Sequence, residues 1–343
     1  MLVLLLLASG PALANDLVIV EPGPPPSPRQ RATLQAGPVD LWAGALVQLD
    51  AGRGGERQGF FLRRSRLRFG GRLERLVSLG LRLEIELNPI ADPAGLLDAV
   101  VEFRVASRGL ADLGRLELGQ MKVPLSQEVM DAPEDLAFVE RAQGARLIAP
   151  GRDAGVLYTL PLLRGEGRAA SVPRAQLRFG LFNGEGAGEL GGGGGSATLL
   201  RLDGGVGDPS RARVGGRWGF ALWSNPDSPV GAGIQSATIA GADLTLWYRA
   251  LRAGAELLWR DAADGSQSRA VWAWASYDVI ADILQLRGRA ETLDDGVLTR
   301  RVTLGATFHY LPDRFRLLYD LTVPLDPVGN ASVAHVTSFM AVL

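Results

Sequence analysis

Between Val77 and Asn88 apolar and polar residues alternate without a break. Val77, Leu79, Leu81, Leu83, Ile85 and Leu87 fall on one side, and Ser78, Gly80, Arg82, Glu84, Glu86 and Asn88 on the other. A period of two is that of a β-strand, whose successive side chains point to opposite faces. The run exceeds the typical five or six residues of a strand in a soluble protein. It matches the roughly ten tilted residues that cross a bilayer as a strand. A chain made of such units must form a sheet with one apolar and one polar face.

The unit recurs. Leu97–Ser107 sets Ala99, Val101, Phe103 and Val105 against Asp98, Glu102, Arg104 and Ala106. Further candidates are Leu41–Leu49, Phe60–Gly71, Arg115–Val123, Ala154–Leu163, Arg174–Phe182, Ala212–Trp223, Thr238–Arg249, Leu251–Arg260, Arg269–Tyr277, Ile283–Thr292, Arg300–Tyr310, Arg314–Val323 and Val333–Leu343. These make fifteen, and the weaker Ala197–Asp203 makes sixteen. The alternation fits either a soluble sandwich or a membrane barrel. Strand length and strand number favour an all-β transmembrane antiparallel barrel over residues 38–343. Even strand numbers favour sixteen, with fourteen as the alternative.

The residues ahead of the barrel carry a different pattern. Leu2–Ala8 is a short apolar core followed by the small-x-small triplet Ala12-Leu13-Ala14. Residues 1–14 therefore read as a signal peptide, too short to span a membrane as a helix. Residues 15–37 include Pro22-Gly23-Pro24-Pro25-Pro26 and read as an extended, Pro-rich periplasmic leader. No later stretch has about 20 uncharged apolar residues in a row, so no spanning helix is expected.

Connections and aromatics fit a barrel. Arg249-Ala250-Leu251 and Tyr310–Arg314 are tight links, whereas Asp261–Ser268, Asp294–Thr299 and Pro324–Asn330 are longer. Short turns at one end and longer loops at the other are the outer-membrane pattern. Trp42, Trp218, Trp223, Trp247, Tyr248, Trp259, Tyr277, Tyr310 and Tyr319 lie near strand ends, where aromatic girdles form. Two stretches interrupt the rhythm. Pro124–Asp153 is long and charged, and Gly184–Ser196 contains five consecutive glycines, Gly191–Gly195.

Composition excludes several classes. The formal net charge is -1, which gives no reason to expect a nucleic-acid partner. The chain has no cysteine, and its two histidines, His309 and His335, stand far apart. No zinc set, nucleophile elbow or phosphate-cradling loop is present in the sequence. The expectation is a protein without catalytic residues, metal or cofactor.

Basic residues carry the remaining signal. Arg64, Arg66 and Arg68 share one strand face, about 7 Å apart from the rise per residue. An arginine facing lipid at the midplane costs roughly 2–4 kcal/mol, so all three should face the lumen. Arg82 and Arg104 lie on the polar faces of the next two strands, and Arg174, Gln176 and Arg178 repeat the pattern. Stacked guanidiniums can form a ladder of anion contacts. Equally, Glu84, Glu86, Asp98 and Glu102 can neutralise them in a mixed network. Both readings remain open from sequence.

Four blocks resemble the phosphate-selective porin O/P family. They are Phe61–Leu67; Leu118–Glu128 with Phe138–Arg141; Pro150–Val156; and Phe179–Gly184. The resemblance implies a trimeric, sixteen-stranded bacterial outer-membrane porin with a loop folded into the lumen. It places Pro124–Asp153 as that constriction loop and sets Lys122, Glu128, Arg141, Arg152 and Asp153 at family motif positions near the constriction. The implied function is passive diffusion of small hydrophilic solutes, with anions preferred and phosphate-type anions within range. The implied partners are outer-membrane lipid and small anionic or polar solutes. A non-selective diffusion pore and a closed-lumen structural or receptor barrel are the alternatives.

Overall fold

The computed structural model describes residues 32–53, 59–73, 77–86, 95–105, 113–163, 174–187, 196–207, 214–226, 237–311, 314–326 and 333–342. The expected signal peptide, leader residues 15–31 and the five-glycine run lie outside them, as do Leu87, Asn88 and Leu343.

Seventeen strands follow one another along the chain. They are β1 (Ala32–Ala36), β2 (Val39–Arg53), β3 (Gly59–Leu73), β4 (Val77–Glu86), β5 (Gly95–Val105), β6 (Arg115–Lys122), β7 (Arg152–Leu163), β8 (Ala175–Phe182) and β9 (Ala197–Val206). The second half adds β10 (Val214–Asn225), β11 (Ala237–Tyr248), β12 (Leu251–Ala262), β13 (Gln267–Ile280), β14 (Leu284–Asp294), β15 (Leu298–Leu311), β16 (Phe315–Pro324) and β17 (Ala334–Val342). Each of β2 to β17 pairs antiparallel with its neighbour in sequence, and β17 returns to β2. The sheet is thus a closed barrel of sixteen strands. Closure leaves no free edge in the ring, which is why strands can cross lipid at all.

All sixteen wall strands coincide with segments legible as alternating in the sequence, the weak Ala197–Asp203 included. One expectation needs correction. The last residues of the anticipated leader, Ala32–Ala36, are strand β1, which pairs with Val39–Ala43 below the point where β17 ends on Leu46.

The pleat sorts side chains as the alternation requires. On β4, Leu79 and Leu81 are exposed on the outside while Glu84 is buried on the inside. On β3, Arg64, Arg66 and Arg68 are buried and Phe69 is exposed. A bulge opposite Gln48 and Leu49 breaks the period in β3. Arg63 is the extra residue, and it turns to the same side as Arg64. Two neighbouring arginines thereby share the inner face, a known effect of β-bulges.

The aromatic expectation holds in part. Tyr248, Trp259, Tyr277, Tyr310 and Tyr319 are exposed on the outer surface. Trp223 and Trp247 are buried instead, and cannot belong to a girdle. Trp223 sits in an apolar core inside the barrel, formed where residues 123–148 pack on the inner face. Ile239, Leu258, Ala270, Trp272 and Leu293 line that wall, and Val123, Leu125, Val129, Ala145 and Ile148 meet them. The polar-inside rule therefore fails locally, because this stretch of inner wall touches protein rather than water.

Among the described residues, helix is confined to the connection between β6 and β7. It holds α1 (Gln127–Met130), a 3-10 turn at Pro133–Asp135, and α2 (Gln143–Leu147). Neither helix is long and apolar enough to cross a membrane.

Candidate functional site

The candidate site is the inner face of β3 to β8 together with residues 123–151. Ser126 starts α1 as an N-cap, accepting the Val129 N–H at 3.3 Å. From there the segment is bonded to strands on both sides of the ring. Arg68 on β3 binds Glu134 with two nitrogens, and Arg63 on β3 binds Glu140. On the other side, the Val139 N–H donates to Asp320 of β16 at 2.8 Å, and the Gln143 N–H to Glu291 of β14 at 2.8 Å. The Phe138 ring lies against both Arg287 and Arg289 of β14, with the Arg289 guanidinium 4.6 Å from its centroid. Each is a cation–π contact in a site removed from bulk water.

The arginines anticipated as a ladder are mostly paired. Arg66 donates to Glu84 at 2.9 Å, and the Arg68 Nε stands 3.5 Å from the same carboxylate. Arg82 stands 3.7 Å from Glu117, Arg152 donates to Asp98 at 2.8 Å, and the Arg178 Nε lies 3.0 Å from Asp203. Arg104 lies partly buried on β5, its Cα paired with that of Arg115. Much of the wall is therefore the mixed network of the second reading.

Three cations differ. Arg64 donates to the neutral Gln48 side chain. Lys122 donates to the carbonyls of Met130 and Asp131, at 3.0 and 2.8 Å. Arg141 donates to the carbonyls of Glu128 and Asp131, both at 2.8 Å. None of the three makes an ion pair among the described residues. Carboxylates act on them only through space, Glu140 on Arg64, Asp98 and Glu84 on Lys122, and Glu128 and Asp131 on Arg141, while Arg141 is in turn a neighbour of both Arg64 and Lys122. Neutral acceptors fix these side chains without cancelling their charge.

Asp153 does not belong to the connection. It is the second residue of the wall strand β7 and is completely buried, accepting the Ala154 and Gly184 N–H groups at 2.8 and 2.7 Å. Gly184 adopts φ 76°, and an added Cβ there would press on Asn225. Asp153 thus anchors the next loop instead of lining a pore. Glu128 is largely buried between Arg289 and the Ala142 N–H. Burial, only partly opposed by Arg289, pushes its carboxyl up to about 7. Asp135 reaches solvent, yet burial and then the adjoining Glu134 and Asp131 push its carboxyl up to about 6.

Several residues escaped the sequence reading. Arg63 was hidden by the bulge. Arg201, Arg287 and Arg289 are buried and paired with Asp243, Asp320, Glu128 and Glu291. Their signal was present as charges at alternate positions, Arg201 with Asp203 and Arg287 with Arg289 and Glu291, a spacing that puts them together on the face turned from lipid.

The architecture is that of the sixteen-stranded porins. In-vitro folded OmpT of Vibrio cholerae, in its trimer form, superposes with a TM-score of 0.61 at 13% identity, covering 90% of this chain and 99% of that one. OmpF of Salmonella typhi in complex with daunomycin gives 0.62 at 10% identity, covering 88% and 97%. An anion-selective porin from Comamonas acidovorans gives 0.59 at 14% identity, covering 88% and 98%. In sequence, residues 42–161 match the family described as phosphate-selective porin O and P. The match takes in three of the four blocks singled out above. No curated protein sequence matches the chain.

Proposed function

We propose that this chain is a bacterial outer-membrane porin: a passive, anion-preferring pore for small hydrophilic solutes, assembled as a homotrimer. A closed barrel with apolar side chains outside and charges inside supports a water-filled path rather than a soluble domain. Residues 123–151, bonded to both sides of the ring, serve as the constriction. The likeness to the phosphate-selective family and to an anion-selective porin supports the choice of solute sign.

The observation that carries anion preference is the trio Arg64, Lys122 and Arg141. Their donors are satisfied by an amide and by carbonyls, so the guanidinium charges of Arg64 and Arg141 remain available to a passing anion. Arg66, Arg68, Arg82, Arg104, Arg152 and Arg178 extend the basic wall but share their charge with carboxylates. We assign no catalysis.

A second reading has its own observation. The pairs Arg66–Glu84, Arg152–Asp98 and Arg178–Asp203 neutralise much of the wall, as a non-selective diffusion pore would have it. Reversal potential across a salt gradient in a planar bilayer separates the two. A clear anion preference supports the first reading, and a potential near zero the second. Absence of conductance would mean a closed-lumen barrel. Migration as a heat-labile trimer on a gel tests the assembly.

A further inference from the structure

Between the apolar core inside the barrel and the end closed by the short turns, β10 to β13 carry a second cluster of inward side chains. The register sets Gly215 opposite Trp247, Trp247 opposite Arg252, and Gly254 opposite Trp274. By the alternation of each strand, these residues share the inner face with Asp243, Glu256 and Trp272. Each ring lies across the glycine that faces it. A Cβ on Gly215 would fall 2.4 Å from Cζ2 of Trp247, and one on Gly254 would fall 2.6 Å from Nε1 of Trp274. Trp274 packs against the apolar core on one side and stays half-buried.

The cluster has donors to spare. Trp247 is 4% exposed, and its Nε1–H is buried with no acceptor. A buried donor left unbonded is costly. Arg252 is exposed, directly opposite Trp247 and diagonal to Trp274, about 7–8 Å away between backbones. Arg217 of β10 is diagonal to Trp247 at the same spacing, and its Nε is also buried without a hydrogen bond. Neither arginine makes an ion pair among the described residues. The carboxylates around them are engaged elsewhere. Asp203 serves Arg178 and Arg201, and Asp243 is held by Arg201. Asp278 accepts the Gln285 amide at 2.8 Å, and Glu256 accepts the Glu128 N–H at 2.9 Å. The only acceptors the cluster itself adds are the hydroxyls of Thr245 and Ser276, both buried. A sugar, which donates as often as it accepts, finds few partners here. A flat ring that carries a negative charge finds both a surface and donors.

We propose that Trp247, Trp274, Arg217 and Arg252 form a binding site for a small aromatic carboxylate. The ring stacks on the open part of Trp274. The carboxylate sits between Arg252 and Arg217, where a guanidinium fork matches its two oxygens and where it supplies the acceptor that Trp247 lacks. The site stands on β10 to β13, apart from the trio Arg64, Lys122 and Arg141 and from the connection between β6 and β7. It adds recognition of a ring to the sign of charge, and it does not depend on conduction.

The test is calorimetric titration of the full-length protein in detergent, with sodium benzoate as the probe. Benzoate should bind saturably, and acetate, which has the charge without the ring, should not. Arg252→Gln and Trp274→Leu should each weaken benzoate at least tenfold, whereas Trp274→Phe, which keeps a ring, should stay within a few-fold of wild type. Equal affinity for benzoate and acetate overturns the site, as does unchanged benzoate binding in both Arg252→Gln and Trp274→Leu. Saturable binding of glucose in place of benzoate overturns it too, and makes this wall a sugar platform. Benzoate binding with the expected variant pattern, in a protein that never conducts in a planar bilayer, would overturn the pore reading and leave the site standing.

Discussion

Arg68 grips Glu134 with both terminal nitrogens, Nη2 meeting Oε2 at 3.0 Å, and so ties wall strand β3 to the connection between β6 and β7. Both side chains are almost fully removed from solvent. Removing one partner of such a pair strands the other as an uncompensated charge, at about 3–5 kcal/mol. Glu134→Ala should lower the urea midpoint of the folded barrel and make channel recordings noisier. Arg68→Met with Glu134→Leu should recover most of the midpoint. Equal midpoints for the single variant and wild type would mean the pair adds nothing to holding the segment.

Charge selectivity should rest on the cations without ion pairs. Arg64→Gln together with Arg141→Gln should shift the reversal potential toward cations by a several-fold change in permeability ratio. Arg178→Gln, which removes a cation already matched to Asp203, should shift it far less. Equal shifts from both would mean that pairing does not set selectivity.

The Asp135 carboxyl, raised to about 6, gives a pH dependence with a definite sign. Below that value the group is neutral and the lumen gains net positive charge. Anion preference should therefore be greater at about pH 5 than at about pH 8, falling as Asp135 ionises. Asp135→Asn should lose the part of this fall centred near 6. A preference that instead grows with rising pH contradicts the assignment.

Helix α2 lies on the wall through Gly144. A Cβ there would overlap Ala270 and come within 2.8 Å of the Trp272 ring. Gly144→Ala should lift α2 from β13 and β14 and raise conductance in a barrel that still folds. Deleting Asp131–Gly144 should raise it further. Unchanged conductance in the deletion would place this segment away from the conducting path.

The sheet was legible in the sequence because alternation survives wherever one face meets lipid and the other meets charge. Val77–Asn88 shows this with no tertiary information. The site was legible only in part. Arg64, Arg66 and Arg68 announced an inward face, but their partners Gln48, Glu84 and Glu134 come from two wall strands and a distant turn. Arg63 reads as outward until the bulge opposite Gln48 and Leu49 is known. The burial of Trp223 and Trp272 could not be read at all. It depends on which stretch of inner wall the β6–β7 connection covers, and no local pattern encodes that.

The closure of the ring has a temporal meaning as well as a geometric one. Gln48 of β2 donates to Ser338 of β17 at 2.9 Å, although the two are separated by 290 positions. Every other wall pairing joins neighbours in sequence and can form as a hairpin, but this seam waits for nearly the whole chain. Until then β17 and the part of β2 from Leu46 to Arg53, which β1 does not cover, are two raw edges, each able to recruit a strand from another molecule. Assembly is thus a race between the last strand finding the first and a stranger finding either, and anything that delays delivery of β17 favours aggregation over insertion.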